Sequence, residues 1–127
     1  KSIIRDLSLD YPDFLIASSE WFAFVPAKEY FDEPGDHADE LETSVMMHYH
    51  PELVNLDEAG NGDYKKFTSQ MLNEKVAWIP RNWQKVSQDT GIGNPKKASA
   101  GKGKKYAEAV VAKYALLFEE LVHKELY

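Results

Sequence analysis

The sequence predicts an α/β fold, in which helices flank a mainly parallel sheet. Two short apolar runs, at 14–18 and 76–80, are bounded by polar residues or proline, as strands buried on both faces commonly are. A helical pattern over 97–124 repeats apolar residues at three- and four-residue spacing. Because another helical pattern leads into the first apolar run, that part of the chain indicates half of a βαβ unit.

Length and composition indicate one folded domain or a piece of one. A chain of 127 residues is long enough to bury about two thirds of its unfolded surface and too short for two ordinary domains. Its hydrophobic content of 43% exceeds that of disordered chains. The chain has no cysteine, which excludes disulfides and thiolate metal sites. Carboxylate and imidazole groups are therefore the strong metal ligands that remain.

The charge of the chain argues against nucleic acid and membranes as partners. The formal net charge is −6, and the basic run at 96–105 is interpreted as the solvated start of a helix. No apolar run reaches the length of a membrane span, and none has the form of a signal peptide. The sequence therefore predicts a soluble, cytoplasmic protein.

The first third of the chain reads as a helix, a strand and a loop rich in aromatic residues. Ile3 and Leu7 lie at helical spacing, and Pro12 ends this helix because the residue before a proline is pushed out of the α region. The strand at 14–18 follows. Residues 20–34, called the aromatic loop below, carry five aromatic side chains and two prolines without a clear period. Such side chains pack over a neighbouring element or line a pocket, and packing is the favoured interpretation.

The stretch 35–44 concentrates more potential site chemistry than any other part of the chain. It holds four carboxylates, one histidine and two hydroxyls directly before an apolar helix, as functional sites often do. The same residues also fit an ordinary helix start, with Asp36 or Asp39 as N-cap and acidic side chains favoured by the helix dipole. The helix is predicted over 40–49. Its buried stripe would consist of Leu41, Val45 and Tyr49.

Two histidines at the end of this helix are a second candidate pair of metal ligands. His48 and His50 have a His-x-His spacing, but histidine also suits the negative end of the helix dipole, and Pro51 marks the stop of the helix. The end of a helix is therefore the favoured interpretation.

The rest of the chain is predicted, in order, as a turn-rich connection at 55–62, an ambiguous segment at 64–74, a strand at 76–80, a loop at 81–94 and a helix over 97–124.

Two blocks of the sequence resemble the creatininase, or creatinine amidohydrolase, family. In the first block, 35–47 followed by 51–54, His37 precedes a Glu-Thr-Ser triplet that opens an apolar helix, and a Pro-Glu-Leu-Val loop follows, as in the family. The second block, 90–95 with the long helix after it, is similar to the usual C-terminal part of the family. The resemblance covers 1–127, but only the C-terminal half of a family member. It therefore implies the C-terminal part of a three-layer α/β domain.

The resemblance also implies that this chain works with an N-terminal half. The two-metal site of the family takes most of its ligands from that half: a Glu-x-His pair, a bridging aspartate and a histidine in a Gly-His-Gly-Gly-Asn type motif. Residues 1–4 resemble the helix that begins just after that last motif. We therefore expect divalent metal ions (zinc, manganese or iron) ligated mostly by the N-terminal half, and a homo-oligomer of such subunits.

The family mechanism implies roles for three residues of the first block. Paired metals activate a water that attacks the carbonyl carbon of a cyclic amide or formamide. His37 matches the histidine that passes a proton to the leaving nitrogen, and Asp36 matches its acidic partner, so both are expected to be catalytic and to bind substrate. Glu42 matches the glutamate of the triplet, as a metal ligand or as the anchor of one. Residues 31–34 lack the tryptophan expected in creatinine-hydrolysing members, which argues against creatinine itself as the substrate.

Two functions remain in competition. The leading interpretation is a metal-dependent amidohydrolase that acts on a small cyclic amide, formamide or related C–N bond, with this chain supplying the substrate-facing half of the site. The alternative is a non-catalytic α/β binding or assembly module that keeps the family core without its metals. In either case we expect the chain to be unstable alone, because half a domain exposes the sheet edge and the apolar face that its other half would cover.

Overall fold

The computed structural model describes residues 2–123 and residue 125, and the regular structure in this part of the chain is helical. The α-helices are α1 (Ser2–Asp10), α2 (Glu40–Tyr49), α3 (Gln70–Asn73), α4 (Trp83–Val86) and α5 (Ala100–His123). Short 3-10 helices lie at Trp21–Ala23, Ala27–Glu29, Pro51–Leu53 and Pro95–Lys97. Among the described helices, none is both long enough and apolar enough to cross a membrane.

The prediction of a parallel sheet, and with it of a three-layer α/β domain, is wrong. The part of the chain that the structure describes contains no β-strand, and the predicted strand segments 14–18 and 76–80 have no regular structure. Among the described residues, extended pairing consists of two isolated antiparallel bridges, His37–Ile92 and Tyr64–Ser87.

Both apolar segments lack cover from the rest of the described chain. Phe14 is 69% exposed and Trp78 is 84% exposed. A strand needs a neighbouring backbone for its N–H and C=O groups, and a strand that is apolar on both faces needs cover on both. An apolar run thus indicates a preference for burial, whereas strand formation depends on partners that lie far away in sequence or outside the chain.

Helix α2 begins and ends where the sequence predicted. Asp39 is its N-cap, and the carboxylate of Asp39 accepts the backbone N–H of Glu42 at 2.9 Å. Of the predicted buried stripe, Leu41 is buried and Val45 is half-buried, whereas Tyr49 is exposed. The last turn therefore leaves the core.

The other two long helices also follow local signals. Helix α1 ends at Asp10, just before the Tyr11-Pro12 pair that was predicted to stop it. Helix α5 begins at Ala100 rather than at the predicted residue 97, because Pro95–Lys97 forms a separate 3-10 helix. The predicted end at residue 124 lies outside the described residues.

Tyr106 of α5 is the centre of the core. Its side chain is fully buried, and its hydroxyl donates a hydrogen bond to the backbone C=O of Phe22 at 2.8 Å. Burial raises the pKa of this hydroxyl. The rings of Trp21, Tyr30 and Phe31 surround it at centroid distances of 6.1, 5.3 and 5.2 Å. The aromatic loop therefore packs over α5, as the packing interpretation predicted.

Helices α2 and α5 approach each other most closely at Gly103. A β-carbon at this position would overlap the backbone oxygen of Ser44 in α2. Ser44 cannot easily move away, since it is fully buried and its hydroxyl accepts the backbone N–H of Ser99 at 3.1 Å. Glycine is therefore required for this helix contact.

Replacing Gly103 with alanine is expected to lower the free energy of unfolding by about 1–3 kcal/mol, because the added methyl group forces the two helices apart. Gly101, two residues earlier in α5, is the matched control, since a β-carbon there meets nothing within 4 Å. Gly101→Ala should raise stability by about 0.5–1 kcal/mol through helix propensity alone. Denaturant unfolding of both variants measures the difference. Equal effects of the two substitutions would contradict the close approach.

Candidate functional site

Residues 35–44 are anchored by backbone hydrogen bonds to a part of the chain that is far away in sequence. The N–H groups of Asp36 and His37 both donate to the C=O of Ile92, at 2.8 and 3.1 Å. The N–H of Ile92 donates in return to the C=O of His37 at 2.8 Å, and Ile92 is itself buried. The two sequence blocks described above, 35–47 and 90–95, are therefore in contact, and His37 lies where they meet.

The imidazole of His37 is half exposed and lies beside the carboxylate of Glu42. Its Nδ1 is 3.5 Å from Oε2 of Glu42, an ion-pair distance when the histidine is protonated. The side chain of His37 is 46% exposed and that of Glu42 is 36% exposed, so both can be reached by a solute. The structure thus brings two of the predicted site residues within ion-pair distance of each other.

The backbone between these residues is strained. Ala38 has φ +48°, in the left-handed region, which costs a residue with a β-carbon about 1–2 kcal/mol. This conformation allows the N–H of Ala38 to donate to Oε2 of Glu42 at 2.7 Å. Strain next to charged groups is typical of functional sites. The local turn therefore holds the Glu42 carboxylate next to His37.

Asp36 pairs with a residue that the sequence did not single out. Both of its carboxylate oxygens accept hydrogen bonds from the guanidinium of Arg81, each at 2.6 Å. This pairing raises the pKa of Arg81. The guanidinium carbon also lies 5.5 Å from the ring centroid of Trp83, whose ring centroid is 5.1 Å from that of His37. A chain of contacts therefore runs from Asp36 through Arg81 and Trp83 to His37.

Sequence reasoning placed Arg81 and Trp83 in a loop and gave them no role. Trp83 begins the single-turn helix α4, and both residues follow directly after an apolar run that ends in proline. That context was the available signal, because loops carry many functional residues and an arginine and a tryptophan can provide charge and a flat apolar surface there. Nothing local, however, indicates that they reach Asp36 and His37.

Glu40, next to the site, belongs to a buried ion pair. The residue is fully buried, and its Oε1 lies 2.5 Å from Nζ of Lys102. Its Oε2 accepts the N–H of Glu33 at 2.7 Å. Lys102 also donates to Asp32 at 2.7 Å, and the hydrogen bonds to Asp32 and Glu40 raise the pKa of Lys102. The same contact lowers the pKa of Asp32.

This pair corrects two sequence interpretations. Glu40 was assigned to the helix dipole and Lys102 to a solvated helix start. Instead the two side chains join the start of α2 to the start of α5. The helix that carries Glu42 is therefore held in place by a charge pair whose carboxylate is buried and whose ammonium is partly exposed.

The described residues do not form a metal site by themselves. Within this part of the chain, no three side chains of His, Asp or Glu lie close enough together to hold a metal ion. Glu42, the predicted ligand or anchor, lies at ion-pair distance from His37. His50 caps the end of α2 and lies 3.3 Å from Glu52, which agrees with the helix-end interpretation.

Two cavities lie near these residues. The smaller, of about 130 Å³, is lined by Asp36, Asp39 and Glu42 together with apolar side chains. The larger, of about 500 Å³, lies between segments 60–65 and 84–89 and includes none of the three predicted site residues. We place the candidate site beside the smaller cavity, because Asp36 and Glu42 line it, although His37 lines neither of these two cavities.

Comparisons with known proteins match this part of the chain to one family. The model of the creatininase family, described as creatinine amidohydrolase, matches residues 1–118. A crystal structure of a "putative creatinine amidohydrolase" from Bacteroides fragilis is 58% identical in sequence and superposes with a TM-score of 0.92. That match covers 100% of this chain and 51% of the other, so the chain spans about half the length of this relative. No curated protein matches the chain.

Proposed function

Since the chain belongs to the creatininase family, we propose that it forms part of an amidohydrolase, an enzyme that cleaves the C–N bond of a small cyclic amide, formamide or related compound. The observation that carries this proposal is the position of His37, whose backbone is hydrogen-bonded to Ile92 of the second sequence block and whose Nδ1 lies 3.5 Å from Oε2 of Glu42. The chain would supply the substrate-facing half of the site.

His37 is the proposed proton donor to the leaving nitrogen. Cleavage of an amide C–N bond produces a strongly basic nitrogen, and a positioned histidine can protonate it as the bond breaks. Glu42 occupies the Nδ1 side of the ring, which leaves Nε2 as the nitrogen that exchanges a proton with the substrate. Glu42 also stabilises the protonated imidazole, as the carboxylate of a catalytic pair does.

Asp36 is proposed to bind substrate through its pair with Arg81. Because both carboxylate oxygens accept from the guanidinium, the pair carries no net charge while keeping lone pairs at the surface. A neutral amide is a better ligand for such a pair than for a free carboxylate, which would favour a cation. The absence of a tryptophan from residues 31–34 continues to argue against creatinine as the substrate.

The family is generally metal-dependent, and we propose divalent zinc, manganese or iron as the cofactor. Because the described residues do not gather a complete set of ligands, most ligands would come from outside this chain. Glu42 would contribute as one ligand or by orienting another.

The proposed partner is the half of a family subunit that this chain does not span. Large apolar side chains are exposed on the described surface, where an N-terminal half would cover them, including Ile3, Leu9, Phe14, Leu15, Val76 and Trp78. Co-expression with the N-terminal half of the relative is expected to produce a cooperative thermal transition that the chain alone lacks. A sharp cooperative transition in the isolated monomeric chain would contradict this proposal. Measuring the mass of the co-expressed complex would also show whether complete subunits form homo-oligomers.

The proposed activity is tested with the complete protein, loaded with each metal in turn. A panel of cyclic amides and formamides is followed by ring opening or by release of ammonia or amine. Hydrolysis that requires His37 supports the proposal. Metal binding without hydrolysis of any member of the panel would instead favour a non-catalytic binding module.

A further inference from the structure

We propose that Arg81 is a positioning residue: by clamping Asp36 and lying over Trp83, it holds the indole against the imidazole of His37 and so fixes the orientation of that ring. The inference rests on the proposed function for its catalytic consequence, whereas its geometric part stands on contacts alone. Arg81 is 45 residues away from Asp36 in sequence. The contact is therefore a tertiary link and not a local turn.

The geometry of the clamp requires arginine. The two guanidinium nitrogens bond to the two different oxygens of Asp36, with equal distances of 2.6 Å. Only the planar fork of a guanidinium matches a carboxylate in this way, while a lysine ammonium acts as a point charge. The two side chains are 34% and 39% exposed, so the pair is partly shielded from solvent. Arg81 is therefore held in one orientation.

Trp83 depends on this clamp for its position. Helix α4, which Trp83 begins, is one turn of four residues and cannot be stable on its own. The backbone N–H of Lys65 donates to the C=O of Val86 and holds the end of α4, whereas within the described part of the chain no backbone hydrogen bond links the start of α4 to the segment around His37. The guanidinium 5.5 Å from the indole centroid is the contact that links this start to Asp36.

The ring of His37 then has two restraints. Glu42 lies at Nδ1, and the Trp83 indole lies 5.1 Å from the imidazole centroid at an interplanar angle of 50°. Without the indole, a half-exposed imidazole can rotate away from the orientation in which Nε2 faces the substrate. Misplacement of a proton donor by about 1 Å can lower turnover about a hundredfold.

The test follows the imidazole signals of His37 by NMR in the complete protein, at one fixed pH. The nearby indole shifts these signals by its ring current, and comparison with His37→Gln assigns them. In Arg81→Ala the shift should collapse toward that of a solvated histidine. In Arg81→Lys most of the ring-current shift should be lost, because lysine cannot form the paired contact with the carboxylate. In Trp83→Phe part of the shift should remain, because phenylalanine keeps an aromatic ring. Lys85→Ala, on the exposed side of α4, should leave the spectrum unchanged.

Kinetics supply the second readout. Arg81→Ala and Arg81→Lys should lower kcat by about ten- to a hundredfold, in addition to any rise in KM that follows from losing the substrate-binding pair with Asp36. A rise in KM at constant kcat would overturn the positioning role, and so would unchanged His37 signals in Arg81→Ala, whatever the activity. If the unmodified protein hydrolyses nothing, the proposed function fails, and the NMR result does not depend on that outcome. Thermal unfolding of each variant excludes a general loss of folding.

Discussion

Replacing Lys102 with methionine is expected to lower the free energy of unfolding more than any other substitution of a lysine in α5, because the fully buried carboxylate of Glu40 loses its paired cation. Glu40 is fully buried, and Lys102 is the cation that lies against it. Methionine retains most of the length of the aliphatic stem, so the loss of charge rather than of packing is measured. Denaturant unfolding of the complete protein gives the difference directly.

Two further variants separate the ion pair from a general effect of surface charge. Lys104→Met removes a cation that is 61% exposed and lies 3.9 Å from Glu108, and should change stability by less than about 0.5 kcal/mol. Adding Glu40→Gln to Lys102→Met removes the buried charge while keeping an acceptor for the N–H of Glu33, so most of the lost stability should return. A double variant no more stable than Lys102→Met would argue against the buried charge as the cause.

Replacing His37 with glutamine or alanine is expected to lower turnover by about two to four powers of ten, the usual scale of general acid–base catalysis. Metal content and folding should remain intact, because the anchoring hydrogen bonds at this position come from the backbone. His50→Gln is the matched control, since that histidine is exposed at the end of α2. Full activity in His37→Gln would end the catalytic assignment.

Glu42→Gln should behave differently from His37→Gln. If Glu42 holds a metal or one of its ligands, its loss should weaken metal binding by about ten- to a hundredfold, and added metal should partly restore activity. Added metal should not restore His37→Gln. If both residues act only at the start of a helix, each substitution would cost at most about 1 kcal/mol of stability and leave activity near normal. Metal titration of both variants distinguishes these results.

Sequence reasoning succeeded where the determining interactions are local. The N-cap Asp39 and the proline after α2 mark the ends of that helix, and its bounds were predicted without error. The family assignment also came from local blocks of sequence, and the match over residues 1–118 confirms it. Caps, prolines and three- to four-residue periodicity depend on neighbours within one or two turns, which a single sequence displays directly.

Interactions between distant residues could not be predicted in the same way. The pairs Arg81–Asp36 and Lys102–Glu40 join positions 45 and 62 residues apart, and nothing in the sequence indicates that these side chains pair with each other. Contacts of this kind depend on how elements pack, because a charge is buried only when a partner is brought to it.

The sequence by itself therefore determined the family, the helices α1, α2 and α5, and the placement of Asp36, His37 and Glu42 at the start of a helix. Only the tertiary structure decided that Glu42 lies beside His37 and that Asp36 forms an ion pair with Arg81. It also decided that the apolar runs do not form strands among the described residues. The physical reason is the same in each case: helix ends depend on hydrogen bonds between neighbours in sequence, whereas burial, ion pairing and strand formation depend on groups that only folding and assembly bring together.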